Sequence, residues 1–158
     1  MKVNKTNVLR MLDSADVIYK IVEYEVDESD LSGKHVVEVT GLAAEMVFKT
    51  LVAKGDKSGY VVFCIPVLEE LDLKKAAKVS NNKSVEMVKM KDLLGITGYI
   101  RGGCSPLGMK KVFPTYIDEK CLLVDEIAVS GGRRGLQVIL NPEVLVQMSK
   151  ATVVDLVV

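Results

Sequence analysis

The chain predicts an α+β fold built on a mostly antiparallel or mixed sheet, and three observations carry that reading. Its 158 residues, 49% hydrophobic and 27% charged, fit one compact globular domain spanning 1–158 that is long enough to bury a core. Stretches with period-2 alternation and stretches with helical spacing follow one another without a βαβα rhythm, which disfavours a doubly wound parallel sheet. Clusters of Gly, Asn and Pro separate them, with no repeat, linker or low-complexity segment.

Taken in order, Asn4 is placed to cap a first helix, since Val8, Leu9, Leu12 and Ala15 recur at helical spacing up to Asp13–Asp16. Val17 to Tyr24 alternates as a strand. An acidic, serine-containing loop, Asp27 to Gly33, leads into a short helix over Lys34 to Leu42 despite its valines. Glu45 to Ala53 and Tyr60 to Ile65, separated by Gly55-Asp56, read as a hairpin. After Pro66 the spacing of Leu68, Leu71, Leu73, Ala76, Ala77 and Val79 predicts a helix broken at Ser80-Asn81-Asn82. Val85 to Met87 is a short strand, and Lys89 to Leu94 a helix with Gly95 as its C-cap. Strands follow over Val112 to Ile117, Glu126 to Val129 and Leu136 to Leu140. Asn141-Pro142 is a cap followed by an N1 proline, so a helix starts there, and a final strand runs from Ala151 to Val158.

Composition excludes several classes. Twenty-one basic residues balance twenty-one acidic ones, so any polyanion contact has to come from a local basic patch. Cys64, Cys104 and Cys121 form no Cys-x-x-Cys pair and have only His35 as an imidazole partner, so neither a metal site nor a cofactor is expected. Met1 to Lys5 lacks the apolar core of a signal peptide, and no apolar run approaches the roughly 18 residues of a membrane span. The expectation is a cytoplasmic protein with reduced thiols and no membrane partner.

Two glycine loops are the best functional clue. Arg101-Gly102-Gly103-Cys104-Ser105-Pro106-Leu107-Gly108 brings bare backbone against a neighbour, so that N–H groups can converge on an anion or a carbonyl oxygen. Its spacing from Gly103 to Gly108 imitates a phosphate-binding P-loop, but Met109-Lys110 replaces the required Lys-Ser/Thr, which argues against an NTPase. Ser130-Gly131-Gly132-Arg133-Arg134-Gly135 adds positive charge to a second set of backbone donors, a combination that holds phosphate or a developing oxyanion. Cys104 lacks an activating base, and His35 reads as a surface residue beside Lys34. Lys49 interrupts the apolar run Met46 to Val52 on the face opposite Phe48, either as an exposed strand residue or as a cation aimed into a cleft. Lys74, Lys75, Lys78, Lys110 and Lys111 are candidate phosphate contacts, with a solvated helix face an equal reading for the first three.

Five segments in order carry a family resemblance. Val47-Phe48-Lys49-Thr50-Leu51, Glu70 to Lys75, Thr97-Gly98-Tyr99, Gly102 to Gly108 and Ser130 to Leu136 together resemble the YbaK/EbsC family of free-standing aminoacyl-tRNA deacylases, related to the editing insertion of prolyl-tRNA synthetases. The resemblance spans almost the whole chain. It implies a barrel-like sheet core surrounded by helices, and catalytic roles for Lys49, at the tRNA acceptor end, and for Gly102 and Gly103, as N–H donors to the ester carbonyl. It further implies substrate contacts from Tyr24, Ser105, Gly131, Gly132, Arg133, Arg134 and Gln137. Two departures stand out: Gln137 replaces an acidic residue of the cysteine-specific members, and Ser32 stands where a phenylalanine is common. No protein nucleophile is implied, because the substrate thiol attacks its own ester while the protein positions it and stabilises the oxyanion. The implied function is removal of a mischarged amino acid from tRNA, cysteine on tRNA(Pro) first and alanine as another candidate. The implied partners are the aminoacylated acceptor end and prolyl-tRNA synthetase, with no DNA. Two other readings stand beside it: a non-catalytic module binding aminoacyl-tRNA or a synthetase, and a Cys104-dependent hydrolase of a small ester.

Overall fold

A computed structural model describes residues 5–158. Helix α1 (Asn7–Ser14) buries Val8, Leu9 and Leu12 on one face. Its cap is Thr6, whose hydroxyl accepts the Leu9 N–H at 3.2 Å; the predicted cap, Asn4, lies outside the described residues. β1 (Tyr19–Glu23) follows, then α2 (Gly33–Thr40), which forms despite its valines because Ser32 caps its start and Gly41, at φ +72°, ends it. The predicted hairpin is β2 (Phe48–Gly55) with β3 (Gly59–Pro66), in register from Phe48 opposite Pro66 to Gly55 opposite Gly59. A 3-10 turn over Ala44–Met46 delays the start of β2 beyond the expected Glu45.

Helix α3 (Leu73–Val79) is shorter than its apolar spacing predicts, because Asp72 caps it and Leu71 is taken up in a bridge to Val157. β4 (Val85–Met87) is as expected. α4 (Met90–Thr97) runs past Gly95 and ends at Gly98, the glycine with φ +87°. A Cβ at Gly95 would meet nothing within 4 Å, so that glycine simply sits in the helix. β5 (Thr115–Asp118) omits the expected Val112 to Pro114. β6 (Ile127–Ser130), β7 (Leu136–Leu140) and α5 (Pro142–Ser149, capped by Asn141) match their predictions closely. β8 (Thr152–Val154) covers only part of the expected final strand.

The strands form two sheets: an antiparallel one ordered β1-β7-β6, and a mixed one ordered β4-β2-β3-β5-β8 with β5 parallel to both neighbours. They are stitched at one parallel bridge, Val47 to Ala128, and among the described residues they do not close into a barrel. Alternation sends Phe48 and Cys64 into the core shared with α1, α5 and the small sheet, while Ala53, Phe63 and Ile65 pack on α3. Val36 and Val37 of α2 cover the remaining face of the small sheet over Ala128 and Ile139. Each fully buried side chain of this size contributes about 1.5–3 kcal/mol, so these layers fix the frame on which both glycine loops hang. No described helix is long and apolar enough to cross a membrane.

Candidate active site at the paired glycine loops

The first loop turns at Ile100–Gly103, where the Gly103 N–H donates to the Ile100 carbonyl at 3.0 Å and Gly102 takes φ +84°. Gly103 therefore has no free N–H to offer an ester carbonyl, and its role is close approach. A Cβ there would lie 3.1 Å from the Arg133 carbonyl carbon and the Arg134 nitrogen, so the two loops meet backbone to backbone. Arg134 adds a second tie, its Nε donating to the Arg101 carbonyl at 2.7 Å. The Gly102 N–H has no partner among the described residues. Ser105 is buried, and its hydroxyl accepts the Leu107 N–H at 3.2 Å within the same loop.

The second loop closes the β6–β7 hairpin. Gly131 donates to the Leu136 carbonyl, and Gly132, at φ +100°, donates to the Ser130 hydroxyl. Both amides are thus structural. The Thr6 hydroxyl at the start of α1 donates to the Gly131 carbonyl at 2.6 Å, and the Tyr24 N–H donates to the Gly135 carbonyl at 3.0 Å. Arg133 pairs with Glu23 at 3.1 Å while also donating to the Arg134 carbonyl.

Where the loops meet, Tyr24, Leu31, His35, Gly102 and Arg134 line a cleft with about 10 Å³ of open space, close to the room one water requires. Four of the expected residues therefore gather at or against it: Tyr24, Gly102, Gly103 and Arg134. His35, expected on the surface, is a cleft residue. It was missed because nothing in its immediate sequence says that the Asp27 to Gly33 loop folds back onto Gly102.

Lys49 stands apart from these contacts. It shares a face of the hairpin with Leu51 and its cross-strand partner Ile65, while Thr50 and Cys64 point the other way, towards the side of Cys104. Its ammonium makes no ion pair or hydrogen bond among the described residues; burial pulls its pKa below the usual lysine range and nearby Glu70 pulls it back up. Such a half-buried cation is ready for an anion. Gln137 is buried in β7 between Val22 and Ser130, and its Oε1 accepts no hydrogen bond among the described residues. A neutral amide is far cheaper to hold there than an unpaired carboxylate.

Burial pushes the Cys104 thiol up to about 12, with Cys64 adding to the rise and the Thr97 hydroxyl opposing it. A thiol so firmly protonated is a poor nucleophile, which removes the support for a Cys104-dependent hydrolase. Of the lysine cluster, Lys75 is spent on Asp155 and the Val157 carbonyl, and Lys74 and Lys78 are exposed on α3. Lys111 lines a separate groove of about 260 Å³ behind the first loop, with Met11, Pro106, Phe113, Met148 and Lys150.

Residues 32–148 match the aminoacyl-tRNA editing domain family. The chain belongs to that family. A curated relative from Enterococcus faecalis, "Putative Cys-tRNA(Pro)/Cys-tRNA(Cys) deacylase EbsC", is 50% identical over 145 residues, 92% of this chain and 88% of its own length. The crystal structure of "a putative trans-editing enzyme for prolyl tRNA synthetase" superimposes with a TM-score of 0.81 at 25% identity, over 98% of this chain and 99% of that one. A scaffold protein used for epitope backbone grafting by computational design gives 0.84 at 25% identity, over 96% and 94%. The resemblance read from five sequence segments is borne out, and so is an α+β architecture. In this editing domain the matched span takes in His35, Gly102 and Arg134, while Tyr24 lies just ahead of it.

Proposed function

We propose that the protein deacylates cysteinyl-tRNA, with Cys-tRNA(Pro) as its substrate in the cytoplasm. The observation that carries this is the cleft where Gly102 and Arg134 meet the Tyr24–Val36 segment, which gathers a phenol, an imidazole, a guanidinium and the Gly102 backbone. The name of the Enterococcus relative covers both Cys-tRNA(Pro) and Cys-tRNA(Cys), two tRNAs joined by the same amino acid, which supports recognition of the cysteine rather than the tRNA body. A pocket differing by one methylene discriminates by only about 1–3 kcal/mol, so a second sieve after charging has a purpose.

In the reaction, the substrate sulfur attacks the ester carbonyl carbon. The C–S bond forms as the C–O bond to the terminal ribose breaks, the thiol proton ends on the ribose oxygen, and cysteine leaves as a cyclic thiolactone. Holding sulfur and carbonyl together supplies proximity. The unpartnered Gly102 N–H donates to the developing oxyanion, a contact type worth about 10²–10³-fold in rate. Lys49 meets a phosphate or hydroxyl of the acceptor end, and Arg134, held on the Arg101 carbonyl, keeps its remaining donors for the same backbone.

The test is deacylation of Cys-tRNA(Pro), Cys-tRNA(Cys), Ala-tRNA(Pro) and Ser-charged tRNA side by side, with wild type and Lys49→Ala. The expected result is fast release of cysteine from both tRNAs and little release of alanine or serine. Lys49→Ala should lower kcat/KM by about 10- to 150-fold, the worth of one charge-assisted hydrogen bond. Acceptor-end binding without turnover on any of them would overturn the enzyme reading in favour of a binding module.

A further inference from the structure

His35 is the only imidazole in the chain. Its side chain is 17% exposed, its Nε2 is buried with no hydrogen-bond partner among the described residues, and it lines the cleft beside Tyr24, Gly102 and Arg134. On the other side of the ring, Nδ1 lies 3.8 Å from Asp30 Oδ2. That is beyond hydrogen-bond reach but close enough for the carboxylate to set the ring's polarity.

Asp30 is itself fixed. Its Oδ1 accepts the Ser32 N–H at 3.1 Å and the Ser32 hydroxyl at 2.6 Å, which leaves Oδ2 towards the imidazole. These two bonds, with His35 as a lesser influence, hold the carboxyl below its ordinary range, so it stays ionised. Ser32 also accepts the His35 N–H at 3.2 Å as the cap of α2, so one serine orients both members of the pair. The same field reaches Asp27, whose pKa is lowered first by Ser29 and then by His35. The charged and titratable groups around the ring are therefore Asp30 and Asp27 from the preceding loop, Arg134 from the β6–β7 loop and Tyr24 after β1. Lys34 and Glu38 on α2 are exposed. An anion facing Nδ1 favours the tautomer with its proton there, and that leaves Nε2 a lone-pair acceptor.

We propose that His35 is the general base of the editing cleft, taking the proton of the attacking thiol on Nε2, with Asp30 as its positioning residue. This rests on the deacylase reading above. The step balances: the thiol proton moves to Nε2, sulfur bonds to the carbonyl carbon, the ester C–O bond breaks, and the imidazolium returns the proton to the ribose oxygen. A thiol with a pKa of about 8.5 is only ~3% ionised at pH 7, so the base can contribute up to about 30-fold there and almost nothing once the thiol ionises by itself.

The test is single-turnover deacylation of Cys-tRNA(Pro) from pH 6 to 9.5, corrected for spontaneous hydrolysis, with wild type, His35→Gln and Asp30→Asn. His35→Gln should be about 30-fold slower than wild type at pH 7 and within about threefold of it at pH 9, a recovery that no merely structural defect would show. Asp30→Asn should have a smaller effect that vanishes in the His35→Gln background, and imidazole in solution should partly restore His35→Ala. Equal rates for wild type and His35→Gln at pH 7 would overturn the assignment while leaving the deacylase reading intact. A wild type inactive on every aminoacyl-tRNA would overturn both. If the His35 variants are inactive at all pH values, the wild type decides: the imidazole resonances must shift when a non-hydrolysable cysteinyl amide of 3′-amino-adenosine is added, and unmoved resonances refute the proposal.

Discussion

Behind Pro106–Met109 lies a groove with about 260 Å³ of open space, and in front of Gly102 lies a cleft with about 10 Å³, so the same loop separates two cavities of very different size. The groove is lined by Met11, Phe113 and Met148 with the cations Lys111 and Lys150, and among the described residues no acid, imidazole, thiol or phenol lines it. The cleft brings an imidazole, a phenol, a guanidinium, two aspartates and an unpartnered backbone N–H into a much smaller space. The groove is the roomier of the two, while the groups that the proposed ester cleavage uses are in the cleft. Reaction requires placed donors and acceptors rather than room.

The comparison breaks most sharply at Gly103. In Gly103→Val the added carbons run into the Arg133–Arg134 backbone, where even a Cβ sits at 3.1 Å. The loops must part, with an overpacking cost of about 1–3 kcal/mol and a Tm lower by about 2–4 °C for each kcal/mol. Deacylation should fall by at least about 100-fold, the scale of losing a placed oxyanion donor, and by far more than the drop in Tm explains. A thermal melt alongside a rate measurement separates the two.

The next contrast sets one cation of the cleft against one of the groove. Arg134→Met removes the bond to Arg101 together with the charge, and kcat/KM should drop about 10-fold or more, the worth of one bond to a charged group. Lys150→Met, at the edge of the groove, should cost less than about twofold, as an exposed charge usually does. Equal losses would mean that both cavities hold substrate.

The smallest effect concerns the thiols. Burial pushes Cys64 and Cys104 up to about 12 and Cys121 up to about 11. Their folded pKa values lie above the unfolded range near 8.5, so their contribution to stability is fully present below that pH and is lost as pH rises through about 11–12. Tm should therefore hold from pH 6 to 8 and decline above 9, and Cys104→Ala should shrink the decline while leaving deacylation near wild type.

Much of the frame was legible because local chemistry and tertiary context agree. Asn141-Pro142 marks a helix start on any surface, and the β2–β3 hairpin follows from two strand-like runs around Gly55–Gly59. Boundaries failed where two local signals compete. Gly95 and Gly98 are both possible helix ends, and the one that takes φ +87° is chosen by where the chain turns next, towards Tyr99 and its bond to the Leu107 carbonyl. At Ala44–Met46 the start of the expected strand is wound into a 3-10 turn, and Val47, extended just after it, bridges to Ala128. The site shows the same division. Glycine content flagged both loops, yet only the fold shows which amides are spent: the Gly103 N–H is bonded to Ile100, and the Gly102 N–H has no partner among the described residues. His35 was the larger omission, since its position depends on the loop after β1 crossing to the first glycine loop, about seventy residues away along the chain.

The central claim, that the cleft rather than the groove is the site, is tested most directly by mapping amide and side-chain NMR shifts on adding the cysteinyl amide of 3′-amino-adenosine to the wild-type protein. The account predicts the largest shifts at Tyr24, His35, Gly102 and Arg134, with Met11, Phe113 and Lys150 nearly still. Shifts confined to Met11, Phe113, Met148 and Lys150 would contradict it.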